Sequence, residues 1–339
     1  MSSSTPARGR IRVLFTGSRS DANWDPWGRN MYAALSRSHD VMLLDPDRPL
    51  AEQVVDPRIE AVVDSYSLVN PEVAAAAAGH VRLWQLGAVG YDHTDVPSLA
   101  RNGVPTANCP GFTSSRSLAE AALMLAMMVM RSYNGLMATV QAGRIGSPSG
   151  RQLAGRSLLI IGFGASGREL ARRSEAFGMR TMAINHRGRV PALERRYGLA
   201  WMGGLEDLDR GLAEADVVSL HIPLTRETRH ILDARRLALM KPGAVVVNVS
   251  RGGLIDDEAL AQEVRSGHLF GAGLDVVAGE PSGPAHPLRG IPQVILLPHV
   301  AGATDATAQR RARFAALNIS RLRYGLEPLN RVDNLPPQG

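Results

Sequence analysis

Ser157-Leu158-Leu159-Ile160-Ile161-Gly162-Phe163-Gly164-Ala165-Ser166-Gly167-Arg168-Glu169-Leu170-Ala171 joins a run of apolar residues to a glycine-rich turn and then to strong helix formers. The apolar run predicts a buried strand over 157–161, and the helix formers predict a helix over 167–176. Between them Gly162, Gly164 and Gly167 stand in the spacing G-x-G-x-x-G. That spacing alone is weak, because glycine turns are common. Directly after a strand and at the start of a helix it has a specific use: the first glycine permits the tight turn and the second lets backbone approach a pyrophosphate. The third lets the helix pack closely on the strand, so that its N-terminal N–H groups face the negative charge. Gly162, Phe163, Gly164, Ala165, Ser166 and Gly167 are therefore expected to bind a dinucleotide.

The residue that reads the ribose is expected about 20 positions on, at the end of the next strand. Arg180–Ile184 (RTMAI) is that strand, and Asn185-His186-Arg187 follows, with Arg189 nearby. An acidic residue here would accept from a 2′-hydroxyl. A neutral residue followed by basic ones removes the repulsion of a 2′-phosphate and offers donors to it. Asn185, His186 and Arg187 thus predict NADP(H) as the preferred cofactor, with NAD(H) as the alternative.

Further apolar runs extend the pattern in both directions. Downstream, Val217–Leu220, 244–249, 273–277 and 294–297 read as strands, and 257–266 as a helix. Upstream, 11–15, 41–44, 61–63 and 81–86 read as short strands separated by helical stretches. Such alternation predicts α/β architecture with doubly wound parallel sheets. Residues 118–130 (LAEAALMLAMMVM) form one helix that is apolar nearly all round and must be covered, by the core or by a second subunit. Gly87-Ala88-Val89-Gly90 reads as a glycine-bearing turn at a strand's carboxyl end.

Three rim segments at strand ends concentrate reactive side chains: Asn248-Val249-Ser250-Arg251 after a continuous apolar strand, Asp275 to Glu280 after the next, and His299 after the last. An arginine there can grip a carboxylate bidentately, and a histidine beside a carboxylate can transfer a proton. Each alone is weak evidence, since a lone histidine is more often structural.

Taken in order, these segments resemble the D-isomer-specific 2-hydroxyacid dehydrogenase family, of the glyoxylate/hydroxypyruvate reductase kind. The match runs from about Gly87 through Thr304. It includes the glycine loop, His221-Ile222-Pro223-Leu224-Thr225 with Thr228, Met240-Lys241-Pro242-Gly243, NVSRGGLID (248–256), GAGLDVVAGEP (271–281) and PHVAGAT (298–304). The resemblance implies that Arg251, Glu280 and His299 are catalytic. Arg251 would bind the substrate carboxylate, and His299 would give a proton to the carbonyl oxygen as hydride arrives. Glu280 would hold His299 in orientation and favour its protonated form. His221, Pro223, Thr228, Val249, Ser250, Asp275 and Gly302 would contact the cofactor. Val89, Gly90 and Tyr91 would join Arg251 and His299 in binding substrate, with Tyr66 a further pocket candidate. It also implies a Rossmann cofactor domain, 113–304, inserted into a flavodoxin-like substrate-binding outer domain made of 1–112 and 305–339, and a cleft between the two that closes on the substrate. The helix at 118–130 would then lie at a two-fold axis, giving a homodimer.

The chain departs from the family at Asn185, at Gly143-Arg144-Ile145, where a tryptophan is common, and at Ala278-Gly279, where bulkier and often acidic residues precede the glutamate. The substrate implied is a small 2-oxo or 2-hydroxy acid. Relatives that oxidise phosphite share the same three residues, and a non-catalytic NAD(P) sensor would retain the fold. Formate oxidation is disfavoured by the acid at 280, where that branch has an amide-bearing pattern.

Composition sets the outer limits. The 339 residues carry a formal charge of +6, and Lys241 is the only lysine. The arginines are interspersed with acids instead of forming a block, so nucleic acid is not an expected partner. Cys109 is the only cysteine, which rules out an intrachain disulfide and a cysteine-rich zinc site, and no metal is expected. The apolar run at 11–15 is too short for a signal-peptide core, and 119–130 is too short to span a bilayer. A cytoplasmic enzyme with no membrane partner is expected.

Overall fold

The computed structural model describes residues 9–20 and 24–333. Residues 1–8 and 334–339, assigned above to the outer domain, lie outside the described residues, as do 21–23. The chain divides into two compact units. One holds the residues up to Thr113 and those from Ala303 onward; the other is Ser114–Gly302.

The first unit is built on a five-stranded, all-parallel sheet: β1 (Arg12–Phe15), β2 (Asp40–Leu43), β3 (Ala61–Asp64), β4 (Leu83–Leu86) and β5 (Thr106–Ala107), in the order β2-β1-β3-β4-β5. This is the flavodoxin-like doubly wound order. β3 and β4 are buried along their whole length, as a sheet with covered faces requires. The long helix Asp305–Arg323 returns to this unit from the far end of the chain, where Ala312, Ala315, Ile319 and Leu322 join the core formed by Ile11, Val13, Phe15 and Leu83.

The second unit contains a seven-stranded parallel sheet: β6 (Ser157–Ile161), β7 (Arg180–Ile184), β8 (Trp201–Gly203), β9 (Val217–Leu220), β10 (Val245–Asn248), β11 (Gly271–Leu274) and β12 (Val294–Leu296). Their order is β12-β11-β10-β9-β6-β7-β8. Counted from β6 this is the dinucleotide-binding order with one strand added, and its switch point lies between β6 and β9. The helix Ser115–Met130 lies on this sheet. The expected strand over 273–277 moves to β11, so Val276 and Val277 fall in a loop. The reason is steric: a Cβ on Gly273 would stand 2.7 Å from Leu125 Cβ, and one on Gly271 would stand 2.3 Å from Gln293 O. These two glycines are where the helix rests on the strand. The short strands β5 and β8 and the helix Tyr133–Gln141 carry too few periodic residues to be read from sequence.

Among the described residues no single helix is long and apolar enough to cross a membrane, and no group of three or more His, Cys, Asp and Glu side chains is suited to a metal ion.

Candidate active site

The glycine turn lies at the sheet's switch point, and each glycine is required for its own reason. Gly162 has φ +101°, and a Cβ there would press 2.5 Å from His221 O, because the chain leaving β9 crosses directly over it. A Cβ on Gly167 would stand 2.2 Å from Gly162 O, which sets how closely the helix Ala165–Ala176 seats on β6. Gly164 faces open space and caps that helix with no side-chain bond. The first N–H groups of the helix therefore have no capping acceptor of their own, and backbone can approach an anion closely there. This cradle fits a dinucleotide pyrophosphate. Phe163 is buried edge-on against Tyr197, with ring centroids 5.2 Å apart, and so stiffens the turn.

His221 belongs to the same loop cluster. Its Nδ1 lies 3.0 Å from Ser166 Oγ and its Nε2 2.9 Å from Ser219 Oγ. Desolvation is the cause that lowers its pKa to about 4, so the ring is neutral near pH 7 and braces the serine of the glycine turn. In the following segment Thr228 Oγ1 donates to Pro223 O at 2.8 Å and accepts from Thr225 N at 2.7 Å, which ties 223–228 into a compact loop.

At the end of β7 Asn185 is buried and forms a turn with Gly188, whose N–H donates to Asn185 O at 2.9 Å. His186 and Arg187 are exposed, with Arg187 Nε 3.3 Å from His186 Nε2. Arg189 is different: its Nε is 3.1 Å from both oxygens of Glu194.

The three catalytic candidates all belong to the second unit and follow β10, β11 and β12. Asn248 ends the all-valine strand fully buried. Its Nδ2 donates to Arg251 O at 2.8 Å and its Oδ1 accepts from Ser250 N at 3.0 Å, so it sets the backbone that presents Arg251. Ser250 Oγ donates to Leu220 O at 2.8 Å, tying this turn to β9, and Val249 is buried beneath it. Arg251 Nη1 donates to Ser250 O at 2.8 Å.

His299 Nδ1 lies 2.8 Å from Glu280 Oε2. The other oxygen of Glu280 accepts from Val277 N at 2.8 Å, so both carboxylate oxygens are engaged. The imidazole is 48% exposed, and its Nε2 makes no hydrogen bond among the described residues. His299 has φ +57°, the left-handed region that costs a non-glycine residue on the order of 1–2 kcal/mol.

That conformation is held by Asp275, which the sequence assigned only to the cofactor. His299 N donates to Asp275 O at 2.9 Å, Val300 N to Oδ1 at 2.7 Å and Ala301 N to Oδ2 at 2.9 Å. Burial pushes the Asp275 carboxyl above its usual range, while these two amides and the nearby imidazole pull it back. Gly302 follows at the border of the unit. Neither Asn248 nor Asp275 shows this duty in its motif. The signal in sequence is a polar residue ending a wholly apolar strand, which a sheet buries only with a task.

Of the residues expected to bind substrate, Val89, Gly90 and Tyr91 follow β4 in the first unit. Tyr91 is buried, Val89 O accepts from Asn108 Nδ2, and Tyr66, after β3, is exposed. Gly143, Arg144 and Ile145 are exposed, Ile145 at 96%.

Comparison with known proteins matches residues 123–301 to the family described as D-isomer specific 2-hydroxyacid dehydrogenase, NAD binding domain. The hydroxypyruvate reductase of Thermotoga maritima is 36% identical over 256 residues, covering 74% of this chain and 79% of that protein. The D-3-phosphoglycerate dehydrogenase of Mycobacterium leprae is 37% identical over 85% of this chain, which spans only 53% of that longer protein. Among solved structures, a glyoxylate reductase from Paecilomyes thermophila superposes with a TM-score of 0.79 at 28% identity, covering 95% of this chain and 98% of that one.

Proposed function

Because the chain belongs to the D-isomer specific 2-hydroxyacid dehydrogenase family, whose members are oxidoreductases acting on small 2-oxo and 2-hydroxy acids, we propose that it reduces a small 2-oxo acid to the D-2-hydroxy acid and prefers NADPH. The observation that carries this reading is the 2.8 Å contact of His299 Nδ1 with Glu280 Oε2 beside a ring face open to solvent. With Nδ1 held by the carboxylate, the proton on Nε2 is the one available to the carbonyl oxygen of a substrate. Glu280 holds the ring in that orientation before and after transfer. Arg251 binds the substrate carboxylate and draws electron density from the adjacent carbonyl. Gly162, Gly164 and Gly167 would hold the dinucleotide cofactor at the glycine turn, and its nicotinamide would supply hydride chemistry to the carbonyl carbon. In the reverse direction Nε2 removes the hydroxyl proton.

NADPH preference is supported by the neutral, buried Asn185 and by the exposed His186 and Arg187. Arg189 contributes less, since Glu194 already pairs with it. Glyoxylate and hydroxypyruvate are the substrates proposed first, because the similar proteins bear those names. A homodimer is supported by the exposed apolar side chains Met124, Tyr133, Leu136, Met137 and Val140 on the helices Ser115–Met130 and Tyr133–Gln141.

The test is oxidation of NADPH and NADH, followed at the nicotinamide absorbance, against glyoxylate, hydroxypyruvate, pyruvate and phenylpyruvate, with phosphite run in the oxidative direction. Turnover with NADPH on a 2-oxo acid supports the reading. Tight NADPH binding without turnover on any of them rejects it in favour of a sensor. Arg187→Asp is expected to swing preference toward NADH, and an unchanged NADPH to NADH ratio rejects the role given to Arg187.

A further inference from the structure

Glu280 stands on a loop that leaves β11 at Leu274, and three tethers fix its course. Asp275 N donates to Asn248 O at 2.9 Å, and Val277 N donates to Glu280 Oε1 at 2.8 Å. The third tether comes from outside the loop: Ala278 N donates to Asp257 Oδ2 at 2.9 Å. The same oxygen lies 3.1 Å from His286 Nε2, and both side chains are nearly buried, at 7% and 10% exposure. Leu288 N donates to His286 Nδ1 at 3.4 Å, so a neutral imidazole carries its hydrogen on Nε2, where it donates to the carboxylate. Burial pushes the Asp257 carboxyl above its ordinary range, opposed by the Ala278 amide and His286, while Asp256 beside it pushes the same way as burial.

Asp257 opens the helix Asp257–Arg265, directly after the turn that presents Arg251. That turn is pressed onto the Glu280 loop with no room between them, since a Cβ on Gly252 would stand 1.9 Å from Val277 C. The segment bearing Arg251 and the segment bearing Glu280 are thus joined twice, by backbone contact and by Asp257.

We propose that Asp257, oriented by His286, is a positioning residue for the reaction: it fastens the Ala278 amide so that Glu280 can reach His299 Nδ1. This rests on the reductase reading above. In this role Asp257 acts through Glu280, by way of the Ala278 amide.

Two variants test it. Asp257→Ala removes both bonds. Asp257→Leu also removes the acceptor for Ala278 and His286 while keeping a side chain of similar size, and it serves if the alanine variant folds poorly. For either variant, kcat with the best 2-oxo acid is expected to fall about tenfold, a fraction of what general acid–base catalysis contributes. The NADPH Kd should stay within about twofold, because the glycine turn is untouched. In a Glu280→Gln background the substitution should cost nothing further, since the two residues act as a unit. An additive loss in that background overturns the proposal. Amide exchange of residues 276–281 should quicken about tenfold with the other peptides of the unit unchanged. Unchanged exchange there overturns the proposal too. The exchange arm needs no turnover. If no substrate reacts with the unsubstituted protein, the reductase reading fails, and exchange shows whether Asp257 fastens the loop.

Discussion

Lowering the pH should loosen the cofactor-binding unit through His221. Its ring is neutral in the fold, with a pKa of about 4 against 6.5 for the free side chain. Below 6.5 the unfolded chain takes up a proton that the folded chain refuses until about pH 4. The neutral imidazole therefore contributes stability that is present above about pH 6.5 and lost as pH falls toward 4. Integrating that difference, about 2 kcal/mol is lost between pH 7 and pH 5, and about 3 kcal/mol by pH 4. The residue is partly exposed, which makes these upper figures. His221→Gln isolates the contribution, because glutamine can offer a donor and an acceptor to Ser166 and Ser219 but does not titrate. The assay is amide exchange of the β6 and β9 peptides at pH 7, 6 and 5, corrected for the intrinsic rates. The ratio of exchange rates, unsubstituted protein over variant, should rise by up to about thirtyfold from pH 7 to pH 5. Parallel pH profiles for the two proteins would refute the reasoning, since no other titrating group differs between them.

His299→Ala should lower turnover by about 100-fold or more while leaving the NADPH Kd unchanged, and near-normal rates would mean that the proton comes from elsewhere. Asp275→Asn leaves one oxygen for two amides, so either Val300 or Ala301 loses its acceptor. A stability loss of about 1–3 kcal/mol in urea unfolding is expected, together with a fall in kcat as His299 loses its support. Gly252→Ala drives a methyl group into the backbone of Val277, which cannot rotate away. It should destabilise by about 3 kcal/mol, with a measurable drop in melting temperature, and a neutral result would show that the turn can shift.

The cofactor unit was legible in sequence because its signals are local. SLLII, RTMAI and VVSL are mostly apolar runs in a buried parallel sheet, and the glycine turn lies between the first of them and a helix. The expected division of the chain at 112 and 304 compares with unit borders at Thr113/Ser114 and Gly302/Ala303. Arg251, Glu280 and His299 stood out in sequence only as polar residues at three strand ends, and the roles proposed for them came from the resemblance. What escaped was non-local. The strand expected over 273–277 starts instead at Gly271, and its glycines gain their reason only once Leu125 is known to lie over Gly273. For Asp275 the resemblance implied a cofactor contact, and nothing local announced that Val300 and Ala301 donate to its carboxylate. Asp257 and His286 are separated by the whole of β11, and nothing in either local sequence announces the other.

The helix Asp305–Arg323 closes a core whose other members lie near the beginning of the chain: Asn318 Nδ2, for instance, donates to Gln85 Oε1 at 2.7 Å. During synthesis this has a kinetic consequence. The β1–β5 sheet is made before that helix by the whole of the second unit. Until the helix emerges one of its faces is covered only in part, by Met31 and Leu35, so these contacts have a high sequence separation and close slowly. Ser114–Gly302 has all its strands in one continuous segment and can fold while the earlier-made strands still wait for their cover. The apolar faces of β1, β3 and β4 are then the surfaces most in need of a chaperone, and shortening the chain within 305–323 would strand the N-terminal sheet while leaving the cofactor unit intact.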